Sequence, residues 1–177
     1  MRTRGVTVAG ATWVAALTLN VFAARQEPPA AAYRPPPPPE QPVAFSHQAH
    51  VAQGLACATC HAGAETTDRA TLPPTATCMG CHSTVRTDSA EIRKLAGFHA
   101  KQADVPWRRV YRLPEFVYFS HAVHAPADKS MTCESCHGAV RELVVMQKLK
   151  DTSMASCVEC HTARAAPTRC DSCHEAR

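Results

Sequence analysis

All ten cysteines of this 177-residue chain fall into Cys-x-x-Cys pairs, and every pair is followed directly by histidine. The five motifs are CATCH (Cys57, Cys60, His61), CMGCH (Cys78, Cys81, His82), CESCH (Cys133, Cys136, His137), CVECH (Cys157, Cys160, His161) and CDSCH (Cys170, Cys173, His174). Two thiols at this spacing can add to the two vinyl groups on one edge of a haem, and the adjacent imidazole then reaches the iron. Zinc knuckles and disulfides also use paired cysteines, but neither needs a histidine after every pair. With histidine at 10 of the 177 positions, five successes in five would arise by chance roughly once in 10⁶. The motifs therefore predict five covalently bound haem c groups, with His61, His82, His137, His161 and His174 as proximal iron ligands.

Each iron needs a sixth ligand, and the chain repeats itself where those ligands are expected. FSHQAH (Phe45 to His50) precedes the first two motifs and FSHAVH (Phe119 to His124) precedes the next two, while the fifth motif is appended at the C-terminus. Outside the motifs stand five histidines, His47, His50, His99, His121 and His124, one for each iron. The two histidines of a pair are three residues apart and cannot both serve an iron that already holds its proximal ligand. His47 and His50 are thus expected on different haems, as are His121 and His124. The fifth distal position has two candidates. His99 shares a predicted apolar helix face with Ile92 and Leu95, and Met154 stands three residues before Cys157. The choice bears on function, because Met-His ligation raises the potential relative to a pair of histidines. Met131 and Met146 read as flexible apolar filler, and Met79 is held too tightly inside its motif to turn toward an iron.

Ten strong ligands for five irons leave no coordination position open, and no CxxCK motif is present. Electron transfer without substrate chemistry follows, so the chain reads as an electron carrier. The alternative is a multihaem reductase in which one haem keeps an open position for substrate.

The elements that must position these residues are sparse. Met1 to Arg4 carries two arginines and Gly5 to Ala24 is free of charge, which is the form of an export signal or an N-terminal membrane anchor over residues 1–24. Residues 25–42 are rich in Pro and Ala, with five successive prolines at Pro35 to Pro39, and read as an extended linker. Residues 43–177 form the predicted haem domain, divided into 43–118 with the first FSHxxH and two motifs, and 119–177 with the second FSHxxH and three. Only about 27 residues accompany each motif there, with little apolar periodicity. One helix is predicted from an Asp88/Glu91 capping box followed by Ile92, Leu95, Ala96 and His99. Short helices should lead into the motifs, and Val117 to Phe119 is at most a brief strand. The expected fold is mostly irregular with small α content, and five stacked haems form its core.

The formal charge is +4, but Arg2, Arg4 and Arg25 belong to the leader, leaving 16 basic against 15 acidic residues. About ten haem propionates would make the loaded domain acidic. Nothing here implies a nucleic-acid partner. Arg108, Arg109 and Arg112 could pair with propionates or mark a docking face for an acidic redox protein.

FSHxxH pairs with closely spaced CxxCH motifs resemble the class III cytochromes c, small multihaem carriers with paired histidine ligands. The runs VPWRRVYRLPEFVYFSHAVH, TCESCHGAVRELVVMQ and SMASCVECH resemble more closely the pentahaem cytochrome c subunit of alternative complex III, a quinol-oxidising membrane complex of some bacteria. FSHQAH, CATCHAGAE, PPTATCMGCH and the terminal CDSCH fall in matching order, so the resemblance extends over nearly all of residues 43–177. Tyr111 stands where several members have His. The resemblance implies a subunit on the periplasmic side of the cytoplasmic membrane. It would take electrons from an iron-sulfur or quinol-oxidising partner and deliver them to another cytochrome or an oxidase.

Overall fold

The computed structural model describes residues 32–125 and 131–174. The export signal or anchor expected over residues 1–24 lies outside the described residues, as does the start of the linker. Tyr33–Arg177 forms a compact unit, which begins inside the segment read as linker. Gln41 shows why: its amide donates to Arg108 O at 2.8 Å and accepts from Arg108 N at 2.9 Å, tying the chain after the prolines to the domain. No helix among the described residues is long and apolar enough to cross a membrane.

Short helices and loops make up the unit: α1 (His47–Val51), α2 (Cys57–Cys60), α3 (Thr75–His82), α4 (Ala90–Ala100), α5 (His121–His124), α6 (Cys133–His137), α7 (Met154–Ala163), and 3-10 turns at Val140–Glu142 and Cys170–Ser172. The described residues hold no strand, only an antiparallel bridge between Val117 and His174. The expected mostly irregular, small-α fold is what the chain adopts. The motifs themselves are helical turns, and α3 and α7 run into theirs from upstream.

Local chemistry explains the boundaries. Ser46 is extended (φ −113°, ψ 115°) and its hydroxyl accepts from Ala49 N at 3.1 Å, starting α1. Helix α4 starts one residue later than the predicted cap, at Ser89, with no side-chain cap bond. Glu91, expected to complete a capping box with Asp88, instead accepts from Ala44 N at 2.7 Å and from Lys94 Nζ at 2.7 Å. Hydrogen bonds from Lys94 and then Ala44 hold its carboxyl below the usual carboxylate range. The long-range tie to Ala44 replaces a local cap.

The buried polypeptide core is small. Among the described residues Val43, Leu95 and Val105 are the buried apolar residues, with Cys78, Met79, Ile92, Phe98 and Trp107 packed on them. Beside them the Thr75 hydroxyl donates to Ala103 O and accepts from Val105 N, both at 3.0 Å, while Asp104 accepts from Thr75 N at 2.8 Å. This clamp locks α3, and so the second motif, against the exit of α4. Elsewhere large apolar side chains stand open: Phe116 is 60% exposed, Val123 71% and Met154 70%.

The sequence repeat is a structural one. Gln48, one residue after His47, donates its backbone N–H to Leu143 O, six residues after His137, at 3.0 Å. Ala122, one residue after His121, donates to Thr67 O, six residues after His61, at 2.9 Å. Each FSHxxH turn thus docks, at equal offsets, on the loop following the other block's first motif. The two blocks clasp each other reciprocally.

Gly138, directly after His137, has φ 72° and ψ −167°, a region open almost only to glycine, and a Cβ there would meet Leu149 Cβ at 2.7 Å. Gly138→Ala should destabilise the protein by about 1–3 kcal/mol. An unchanged guanidinium midpoint, followed by haem absorbance, would contradict this.

Candidate haem-binding sites

Phe45 and Phe119 set the orientation of the FSHxxH histidines identically. Phe45 stacks on His50 at 4.3 Å and meets His47 edge-on at 5.0 Å; Phe119 stacks on His124 at 4.4 Å and meets His121 edge-on at 4.9 Å. One aromatic ring therefore turns two neighbouring imidazoles through about a right angle to each other.

Those imidazoles face motif histidines. Ring centroids are 6.3 Å apart for His47 and His61, 6.0 Å for His50 and His82, and 5.9 Å for His124 and His161. With metal–imidazole bonds of about 2 Å, two rings opposed across one ion have centroids about 6 Å apart. Each FSHxxH histidine in these contacts thus stands where an iron held by a motif histidine would need it. His121 acts on His137: burial first, then His121 and His61, lower the His137 pKa. His47 is lowered to about 4 by burial, then by His61 and His50. Neutral imidazole is the form a metal requires.

The far side of most rings is fixed by backbone. Nδ1–H donates to a carbonyl oxygen in His50 (Ser46, 2.7 Å), His61 (Thr71, 2.9 Å), His82 (Val85, 3.0 Å), His124 (Ser120, 2.9 Å), His161 (Pro167, 2.5 Å) and His174 (Phe116, 3.2 Å). That bond selects the tautomer with a bare Nε2 lone pair, the usual arrangement behind a metal-bound histidine. His47 differs, since its buried Nδ1 has no partner. The donor set fits haem. Among the described residues no three of His, Cys, Asp and Glu converge as a cage for a bare ion, and none of the ten cysteines is paired in a disulfide.

The motifs also adjoin one another in a definite order. Cys57 and Cys133 line one cavity of about 350 Å³ with Leu55, Glu65 and Arg141. Burial, then the nearby Cys57, pushes the Cys133 thiol up; Cys78 is raised likewise by burial and then Cys60, Cys136 by burial and Cys160, and Cys157 by burial and Cys173. The resulting sequence of neighbours is second, first, third, fourth, fifth.

The fifth distal position is not so clearly framed. On α4 the buried stripe is Ile92, Leu95 and Phe98, and His99, one residue round from it, is exposed rather than turned inward. Among the described residues no other histidine ring faces it. Met154 opens α7 and is equally exposed. His174 lies 5.8 Å from the Phe116 ring.

Tyr111 was not singled out as a site residue, yet it organises the third motif. Its ring meets His137 edge-on at 4.5 Å, and its hydroxyl donates to His137 O at 3.1 Å while accepting from Leu149 N at 2.9 Å and Lys150 N at 3.1 Å. The carbonyls behind the imidazoles, Thr71, Val85 and Pro167, were likewise invisible, because a carbonyl leaves no mark on residue type.

Residues 23–106 match the class III cytochrome c family, and residues 117–175 match cytochrome c7 and related cytochrome c. Both parts of the chain thus match families of multihaem c-type cytochromes. It is similar to the multihaem cytochrome c subunit of menaquinone reductase from Nitratidesulfovibrio vulgaris, with 39% identity over 100 residues that cover 55% of this chain and 46% of the relative. The chain spans about half the length of that protein.

Proposed function

We propose that the chain binds five haem c groups and conducts electrons along them on the periplasmic side of the cytoplasmic membrane. The donor is a quinol-oxidising or iron-sulfur partner and the acceptor another cytochrome or an oxidase, as in alternative complex III. Haem supplies one-electron exchange at iron without bond making, and the chain's own task is to hold the rings. The cysteine pairs tether them, at Cys57/Cys60, Cys78/Cys81, Cys133/Cys136, Cys157/Cys160 and Cys170/Cys173. His61, His82, His137, His161 and His174 are the proximal ligands, with His47, His50, His121 and His124 opposite the first four. The observation that carries this reading is the opposed imidazole pairs at 5.9–6.3 Å. The order of neighbouring motifs supports an unbranched path, and the menaquinone reductase relative supports a quinone-linked partner.

The test is the spectrum of the holo-protein. Five haems by mass, all low-spin and insensitive to carbon monoxide, is the expected result. A high-spin fraction that binds carbon monoxide would favour the reductase alternative.

His99 remains our assignment for the fifth distal ligand, on the count of ten histidines for ten positions. His99→Ala should turn one haem high-spin. A redox titration in which one haem stands well above the rest, and rejoins them in Met154→His, would instead assign Met154.

A further inference from the structure

The two ends of the series of sites are not alike. At the fifth site the last motif is bridged to Val117 through His174, whereas at the second the chain meets a basic cavity. Trp107, Arg108, Arg109 and Arg112 line about 420 Å³ there. The three arginines are exposed, and among the described residues none of them forms an ion pair. The cavity is held in place, because Gln41 bonds both backbone groups of Arg108 and Trp107 packs on the Val43, Leu95 and Val105 core. It is also joined to the second site by rings: Trp107 meets Phe45 at 6.2 Å, and Phe45 stacks on His50 at 4.3 Å.

Three guanidinium groups around an open hollow suit carboxylates, which they can bind in bidentate fashion. A concentrated patch of one sign also steers an oppositely charged partner into contact. We propose that this cavity is the docking site of a redox protein with a carboxylate-rich face, and that electrons enter or leave the chain at the second site beneath it. The proposal rests on the reading of the chain as a haem conduit. In the transfer the partner's reduced centre loses one electron and one ferric haem becomes ferrous, with no proton or ligand exchanged.

The experiment uses holo-protein whose haem content and low-spin spectrum have first been checked, so that loss of the conduit itself is seen separately. Stopped-flow reduction by anionic Fe(EDTA)²⁻ and by cationic Ru(NH₃)₆²⁺ is compared for the native protein, for R108A/R109A/R112A, and for K150A/R164A/R169A. The last variant removes the same charge beside the later motifs, where Arg164 and Lys150 adjoin Cys136. At low ionic strength the first variant should react about tenfold more slowly with Fe(EDTA)²⁻, and not more slowly with the cation. The difference should vanish at about 0.5 M salt, and poly-L-glutamate should inhibit the native protein but not this variant.

Equal losses in the two variants would reduce the effect to net charge and overturn the proposal. An unchanged rate with one haem potential displaced would show the arginines to be engaged by propionates instead. Slower reaction with Fe(EDTA)²⁻ but no competition by poly-L-glutamate would make the cavity a small-anion site, which also overturns docking of a protein.

Discussion

A chain with all ten cysteines replaced by alanine should show no cooperative thermal unfolding. The three buried aliphatic side chains among the described residues contribute about 1.5–3 kcal/mol each, enough to offset the backbone entropy of only a handful of ordered residues. Other apolar side chains near the motifs, Phe116, Val123 and Met154 among them, are 60%, 71% and 70% exposed. Porphyrin faces must supply that burial, at about 25 cal/mol per Å² removed from water. Thermal scans by circular dichroism decide the matter, and a sigmoidal transition in the haem-free chain would refute a haem-built core.

The second large effect lies in the FSHxxH turns. His121→Ala should leave one haem in five high-spin, the one attached at Cys133 and Cys136, and His124→Ala should do the same at Cys157 and Cys160. The two variants should differ, because Phe119 sets the two rings at different angles and His124 faces His161, whereas His121 is among the groups that act on His137. Electron paramagnetic resonance would register each change as one low-spin signal replaced by a high-spin one. If His121→Ala left every signal in place, His121 would not be a ligand; if both variants lost the same signal, the pair would not be divided between haems. The first block should behave alike, with His47 serving the motif of His61 and His50 that of His82.

Residue types and short spacings were enough to read the attachment chemistry, the likeness to class III cytochromes c and the largely irregular fold. Each of these is written locally: Cys-x-x-Cys-His is one helical turn, FSHxxH is another, and the lack of apolar period already implied that the chain builds little interior of its own. Partners across the chain were not legible. That His50 faces His82, and that His124 faces His161, depends on Phe45 and Phe119 and on two reciprocal backbone bonds, Gln48 to Leu143 and Ala122 to Thr67, whose offsets match only after folding. The helix around Leu95 was visible from its period, but its cap and the outward turn of His99 were not, because Glu91 is drawn to Ala44 from a distant segment. Tyr111 could be recognised only as an aromatic residue, since its role depends on backbone groups at positions 137, 149 and 150. Sequence specified which groups could hold haem, because covalent and ligand chemistry acts through residue type. The order of the sites and the basic hollow at one end were decided by tertiary structure, because long-range packing and backbone hydrogen bonds carry no residue signature.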